Sequence, residues 1–182
     1  MSTTEISPID LSDDRQTRAL VELLDHYARD PMGGGQPLPE AVRTALVPGL
    51  RQQPGYLGFL AVRAGAPVGL VNAFLGFSTF AARPLLNLHD IVVHASARRQ
   101  GIGRQLLARV EATALARGCC KLTLEVLAAN RAARGAYAAF GFASYTLDPG
   151  TGVALFLEKK LDRAASSGLG EGGDVPPGPV LE

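Results

Sequence analysis

Three groups of residues in this chain could do chemistry. The first is His89 with Asp90, inside the run Asn87-Leu88-His89-Asp90-Ile91-Val92-Val93. An imidazole titrates near ~6.5, which suits general acid–base work at neutral pH. The second is Arg98-Arg99-Gln100-Gly101-Ile102-Gly103-Arg104, which concentrates guanidinium groups around two glycines and suits an anion. The third is the phenol of Tyr137, a weak acid titrating near ~10. Two further histidines stand apart. His94 lies at the mouth of the arginine-glycine run, as a structural or phosphate-side residue, and His26 falls on a first helix, where it is expected to be solvated. Cys119 and Cys120 are nucleophiles by type, but nothing near them in sequence supplies an activating histidine.

These residues need a strand and a helix to hold them. Leu88 to Val93 is short, largely apolar and rich in β-branched residues, which suits a strand. By alternation, Asn87, His89, Ile91 and Val93 share one face, while Leu88, Asp90, Val92 and His94 share the other. After the small connection His94-Ala95-Ser96-Ala97, residues Ile102, Leu106, Leu107, Val110, Ala114 and Leu115 recur at spacings of three and four. That is the apolar stripe of an amphipathic helix, and Gly118 stands where its C-terminal cap belongs.

A strand-to-helix turn of this kind favours an anion. The first N–H groups of a helix lack intrahelical partners, and the macrodipole adds positive potential. Glycine lets a ligand come close to the backbone, so a phosphate or pyrophosphate fits Gly101 and Gly103, with Arg98, Arg99 and Arg104 around it. The alternative is that the glycines merely permit a tight turn. The spacing is neither that of the Walker loop nor that of the dinucleotide fingerprint.

Taken whole, Arg98-x-x-Gly101-x-Gly103 at such a turn resembles the acetyl-CoA-binding motif of the GCN5-related N-acetyltransferase (GNAT) superfamily. The resemblance continues through the strand Lys121–Val126, Asn130, Tyr137 and Phe140-Gly141-Phe142, and covers about residues 56–161. Ala95 stands where many members have Pro, and Arg99 where many have Gly. The fold so implied is α+β: a mixed, mostly antiparallel sheet flanked by helices, the acyl-CoA N-acyltransferase fold. The activity implied is transfer of acetyl from acetyl-CoA to a primary amine by direct attack.

The resemblance also assigns roles. The turn Arg98, Arg99, Gln100, Gly101, Ile102, Gly103 and Arg104 would hold the CoA phosphates. The backbone of Ile91, Val92 and Val93 would pair with the pantetheine arm like an added strand. Asn130 would bond the pantetheine amide or cap its helix. Tyr137, seven residues on and so on the same side of that helix, would protonate the departing thiolate. His89 falls where polyamine acetyltransferases place a glutamate and arylalkylamine acetyltransferases a histidine, which makes it a candidate base. The alternatives are a histidine bonded within the sheet, Asp90 as the base, Asp90 fixing the strand or facing the acceptor, and deprotonation by solvent. Two further functional readings stay open: a non-catalytic CoA-binding regulatory module of the same fold, and a transferase using another short acyl-CoA.

The remaining chain sets bounds. Its 182 residues and 47% hydrophobic content suit one domain with a substantial core. A formal net charge of +1 with scattered signs argues against nucleic acid as the main partner. No apolar run approaches a membrane span and no signal peptide is apparent, so a cytoplasmic protein without a membrane partner or metal is expected. The adjacent cysteines suit reduced thiols. The partner is a small-molecule or peptide amine, with a homodimer left open. In chain order, the pattern predicts a short edge strand at Ile6–Ile9 and a helix capped by Ser12-Asp13-Asp14. A glycine-rich stretch at 33–35 follows, as a mobile substrate loop or a plain exposed linker, and then a helix from Pro39 to Leu50. Tyr56–Arg63 and Pro67–Leu75 form a hairpin, and Phe77 and Phe80 are expected to pack on the sheet, the alternative being that they line a pocket. Ala143–Thr146 and Val153–Leu161 form a second hairpin. Residues 1–163 make the domain, and 164–182, poor in large apolar residues, a disordered tail.

Overall fold

The structure, a computed structural model, describes residues 3–148, 150 and 152–161. The chain divides into two compact units, Met1–Ser144 and Tyr145–Glu182.

The first unit is built on a five-stranded sheet in chain order: β1 (Thr4–Pro8), β2 (Tyr56–Arg63), β3 (Ala66–Ser78), β4 (Arg83–Val93) and β5 (Leu122–Leu124). The first three pairings are antiparallel and the β4–β5 pairing is parallel, so the sheet is mixed and mostly antiparallel, as the sequence implies. Ala64 and Gly65, both at positive φ, close the β2–β3 hairpin as such tight turns require. On one face lie α1 (Asp14–Ala28) and α2 (Glu40–Arg51), and on the other α3 (Ile102–Ala116) and α4 (Arg131–Phe140). Asp13 caps α1 by accepting from the N–H groups of Arg15 at 2.8 Å and Gln16 at 3.3 Å.

Each face of the sheet has its own core. Leu20, Leu23, Leu50, Leu60, Leu70 and Val92 join α1 and α2 to the sheet. Phe59, Val71, Leu86, Leu88, Ile102, Leu106 and Val110 join α3. A Cβ on Gly69 of β3 would stand 3.0 Å from Leu106 Cδ1 and 3.2 Å from Ile102 Cγ2. Glycine there lets the first turns of α3 seat directly on the sheet, which fixes the N-terminus of α3 relative to β4.

Several expectations need correction. The apolar stripe of α3 is buried from Ile102 to Ala114, but Leu115 is 71% exposed, because it falls one position beyond the buried arc. Phe77 and Phe80 do not pack on the sheet: β3 runs on to Ser78, and its overhanging end leaves both rings exposed. The stretch after α1 is a series of hydrogen-bonded turns, in which the N–H groups of Gly33 and Gly35 both donate to the Asp30 carbonyl. In the second unit the expected hairpin is not formed as strands. Residues 152–161 carry no regular secondary structure, although the Ala154 N–H donates to the Tyr145 carbonyl at 3.0 Å. The expected tail, 164–182, lies outside the described residues.

Candidate active site

The site begins with an irregularity in β4. Asn72 of β3 stands opposite Asp90, yet the next residue, Ala73, stands opposite Leu88. His89 is therefore the extra residue of a β-bulge. A bulge shifts the alternation by one, so the predicted faces of β4 are only half right. Asn87 pairs with Phe74 and His89 packs edge-on against the same ring, centroids 5.1 Å apart. Beyond the bulge, Asp90 and Val92 turn to that face, while Ile91 and Val93 join Leu86 and Leu88 against α3. His89 and Asp90, adjacent in sequence, thus look toward the same side, the one covered by α1 and α2.

The bulge also ends the pairing with β5. The parallel register runs Leu86–Leu122, Asn87–Thr123 and Leu88–Leu124 and stops there. From His89 onward the β5-side edge of β4 has no strand beside it among the described residues. Because the His94 N–H bonds the Val68 carbonyl of β3, the alternation of the ladder turns the backbone groups of Val92 to β3 as well and those of Ile91 and Val93 to this opening, where the Val93 carbonyl already accepts from Arg98; such an edge can take an added strand.

Asp90 is held by polar contacts that sequence reasoning did not single out. Its carboxylate accepts from Asn72 Nδ2 at 2.9 Å, and Asn72 Oδ1 accepts from the Tyr56 hydroxyl at 3.0 Å. Asn72 is buried in an otherwise apolar strand, and that anomaly is the signal by which it could have been found. Burial raises the pKa of Asp90; the Asn72 hydrogen bond and nearby His89 oppose the rise without cancelling it. A carboxylate so placed is a stronger base than a solvated one. Tyr56 is also raised, by burial and then by the Asp90 charge.

At the other end of β4 comes the glycine turn. His94 caps a single 3-10 turn, Ala95–Ala97. Its ring stacks on His26, centroids 4.3 Å apart, and His26 Nε2 accepts from the Ala95 N–H at 3.2 Å. His26 is therefore not a solvated surface histidine but a brace between α1 and this turn. Its pKa is lowered by burial and by the nearby His94 and Arg98. Arg98 is committed to the fold, donating to the Val93 carbonyl at 3.2 Å and to Asp30 Oδ2 at 3.0 Å. Gln100 is bonded by Arg63.

Arg99 has φ +63°, a left-handed conformation, and it is the residue that stands where many superfamily members have Gly. Gly101, at φ +79°, is the N-cap of α3, where a side chain would be strained. Gly103 differs. A Cβ there would meet Val93 Cγ2 at an ordinary 3.8 Å, so internal packing does not demand glycine. What the missing side chain leaves clear is the space in front of the first N–H groups of α3, a cradle suited to a phosphate. Arg99 and Arg104 stand exposed beside it.

Asn130 caps α4, its Oδ1 accepting from the Ala133 N–H at 3.1 Å; of its two anticipated roles this is the one seen. Tyr137, on α4, packs against Phe142 with centroids 5.9 Å apart. Its pKa is pushed up to about 12 by burial and by nearby Tyr27. Tyr27 in turn feels burial and the charges of Asp90 and Asp30, so this α1 tyrosine lies within electrostatic reach of both Asp90 and Tyr137. Cys119 and Cys120 are free thiols, and burial raises the pKa of Cys119, the opposite of what a nucleophile needs. Among the described residues no cluster of three or more His, Cys, Asp or Glu side chains could hold a metal, and no helix is long and apolar enough to cross a membrane.

Residues 18–142 match the model of the Acetyltransferase (GNAT) family. The chain belongs to this family. A bovine (Bos taurus) thialysine N-epsilon-acetyltransferase is 38% identical over 74 residues, 41% of this chain and 43% of that protein; the match thus spans less than half of the relative. Solved structures share the fold at low identity. A probable acetyltransferase superposes with a TM-score of 0.70 at 21% identity, covering 86% of this chain and 99% of that one. An aminoglycoside N-acetyltransferase in complex with CoA gives 0.66 at 20%, covering 88% and 97%. An aminoglycoside acetyltransferase from an uncultured soil metagenomic sample gives 0.69 at 16%, covering 88% and 99%.

Proposed function

We propose that this GNAT chain transfers acetyl from acetyl-CoA to a primary amine by direct attack, with His89 and Asp90 serving the amine and Tyr137 serving the leaving thiolate. The observation that carries this reading is the bulge at His89. One extra residue opens the sheet edge at Ile91–Val93, turns His89 and Asp90 toward the same face, and lies one short strand away from the glycine cradle at Gly101–Gly103.

The residues fit the co-substrate. The N–H groups at the start of α3 and the space left by Gly103 suit the pyrophosphate, with exposed Arg99 and Arg104 adding positive charge. Arg98 serves indirectly by tying the end of β4 to Asp30. The free edge of β4 suits the amide-bearing pantetheine arm. The kinship with a thialysine acetyltransferase and with aminoglycoside acetyltransferases supports a small amine as the acceptor.

The incoming amine must be neutral to attack. His89 or Asp90 takes the ammonium proton, directly or through a water. The nitrogen then adds to the thioester carbonyl, the new C–N bond forms, the C–S bond breaks with its electron pair on sulfur, and the nitrogen gives up its second proton to solvent to leave a neutral amide, a proton that solvent returns to the Tyr137 phenolate after its donation. Tyr137 donates its phenolic proton to that sulfur. Its raised pKa keeps the phenol protonated at every working pH, so the donor is always charged with its proton.

Amine-dependent release of CoA thiol by His89→Ala and Asp90→Asn tests the assignment. A general base contributes typically ~10²–10⁴-fold, so at least one variant should lose that much rate at neutral pH while acetyl-CoA affinity is kept. Losses under about threefold in both and in the double variant would hand the proton to solvent and overturn the roles of His89 and Asp90.

A further inference from the structure

At the far end of α3 from the glycine turn lies a cleft of about 520 Å³. It opens where β1 ends, between the last turn of α2, the start of β2 and the second half of α3. Ile9, Leu57 and Phe59 give it an apolar wall, and Arg51, Arg109 and Arg117 stand around it. Its volume falls in the range of small-molecule sites, ~300–1,000 Å³, which pair an apolar wall with a few polar groups.

The charges in the cleft are lopsided. Arg109 and Arg117 lie on one side of α3 with Thr113 between them, each four residues from the next, so they form a row along the cleft. Among the described residues neither guanidinium makes an ion pair or a side-chain hydrogen bond. Arg109 lies over the Phe59 ring, 5.8 Å from its centroid. Arg51 donates Nε and Nη2 to the Leu11 carbonyl at 3.1 and 2.6 Å, which fixes its position and leaves other N–H groups free. The carboxylate lining the cleft, Asp10, is turned to Ser12, accepting from its N–H at 2.8 Å and its hydroxyl at 2.6 Å. Three guanidiniums thus line one space, and none of them is ion-paired with Asp10 or with another carboxylate among the described residues.

We propose that this cleft is a second binding site, for an anion carrying an apolar body: a carboxylate or phosphate gripped by Arg109 and Arg117, with its hydrocarbon part against Phe59 and Leu57. Guanidinium groups bind such oxyanions through paired N–H donors, and the Phe59 ring already holds Arg109 in place from below. The site is separate from the acetyl-CoA cradle. From Gly101 to Arg117 the helix rises about 24 Å at its usual ~1.5 Å per residue.

Calorimetric titration of the full chain with phenyl phosphate, phenylacetate and neutral benzyl alcohol tests this, each with and without saturating CoA. With CoA saturating, so that its own cradle is filled, one or both anions should still bind saturably and benzyl alcohol should not; which anion binds more tightly identifies the headgroup. Arg109→Gln with Arg117→Gln should weaken anion binding at least about tenfold, the worth of a lost charge-assisted hydrogen bond. Both side chains are exposed, so the exchange should leave the melting temperature nearly unchanged. No saturable binding of either anion with CoA saturating, or equal affinity in the double variant under the same conditions, would each overturn the proposal.

Discussion

Replacing Gly103 by Val separates folding from ligand binding. The added Cβ would sit 3.8 Å from Val93 Cγ2, a normal contact, and the backbone of residue 103 is not in the left-handed region, since it is absent from the positive-φ positions. Exchanging Gly for Val in the first turn of a helix gains a few tenths of a kcal/mol in propensity. The variant should therefore melt within a few degrees of the parent. The ligand side is different. Side-chain atoms would occupy the space through which a phosphate reaches the α3 N–H groups. Two charge-assisted hydrogen bonds lost at ~1.5–3 kcal/mol each amount to ~3–6 kcal/mol, or at least ~100-fold in affinity. Calorimetry with CoA alongside thermal melting reads both quantities. A variant that melts like the parent and binds CoA within about threefold of it would refute the cradle. Gly101→Val is a poorer probe, because φ of +79° at Gly101 adds ~1–2 kcal/mol of backbone strain.

Three further perturbations follow from the same geometry. Asn72→Leu removes the hydrogen bond that opposes the rise in Asp90 pKa, so the acidic limb of the rate profile should move to higher pH; an unmoved or lowered midpoint would take Asp90 out of the proton path. Tyr137→Phe keeps the ring packing and removes only the donor, so kcat should fall ~10²-fold or more across about pH 6 to 10 with little change in profile shape, and a loss confined to high pH would contradict a phenol whose pKa is pushed up to about 12. Asp25 joins α1 to α2 by accepting from the Leu38 N–H at 2.8 Å and pairing with Arg29 at 2.9 Å and Arg43 at 3.3 Å. Burial acts to raise its pKa, but these partners outweigh it and the net shift is downward from 3.8. The stabilisation is therefore full above that value and lost as pH falls below it, so Asp25→Ala should cost ~2–4 kcal/mol and about 5–15 °C in Tm at pH 7, with the gap narrowing as the pH is taken below 3.8. A gap that persists in acid would place the effect in packing instead of charge.

Much of the frame was legible in the sequence because it rests on strong periodicity and unambiguous punctuation. The stripe from Ile102 to Ala114, the Ala64-Gly65 turn and the Asp13 cap each state their local structure through residue type alone. The glycine turn was legible for the same reason, since Gly101 at positive φ does what only glycine does easily. The bulge at His89 was not. It arises from register between β3 and β4, a long-range property that leaves no mark on the alternation of Leu88 to Val93, so the assignment of faces broke at that residue. The Asn72–Asp90 contact needs the same register and was invisible for the same reason. Tyr27 and His26 reach the site only because α1 packs across β4, and helix periodicity says which face is apolar but not what that face touches. Phe77 and Phe80 were misjudged because aromatic residues are usually buried, while the β3–β4 hairpin extends beyond the helices that would cover them.

The opened edge of β4 and the glycine cradle are together proposed to serve acetyl transfer to an amine. The most direct measurement is thiol release from acetyl-CoA by the full chain across a panel of primary amines, including lysine analogues, polyamines, amino acids and aminoglycosides, with product mass checked for each active amine. At least one amine should drive thiol release above the amine-free rate and gain the mass of one acetyl group on nitrogen. Saturable acetyl-CoA binding with no amine-dependent thiol release anywhere in the panel would contradict it.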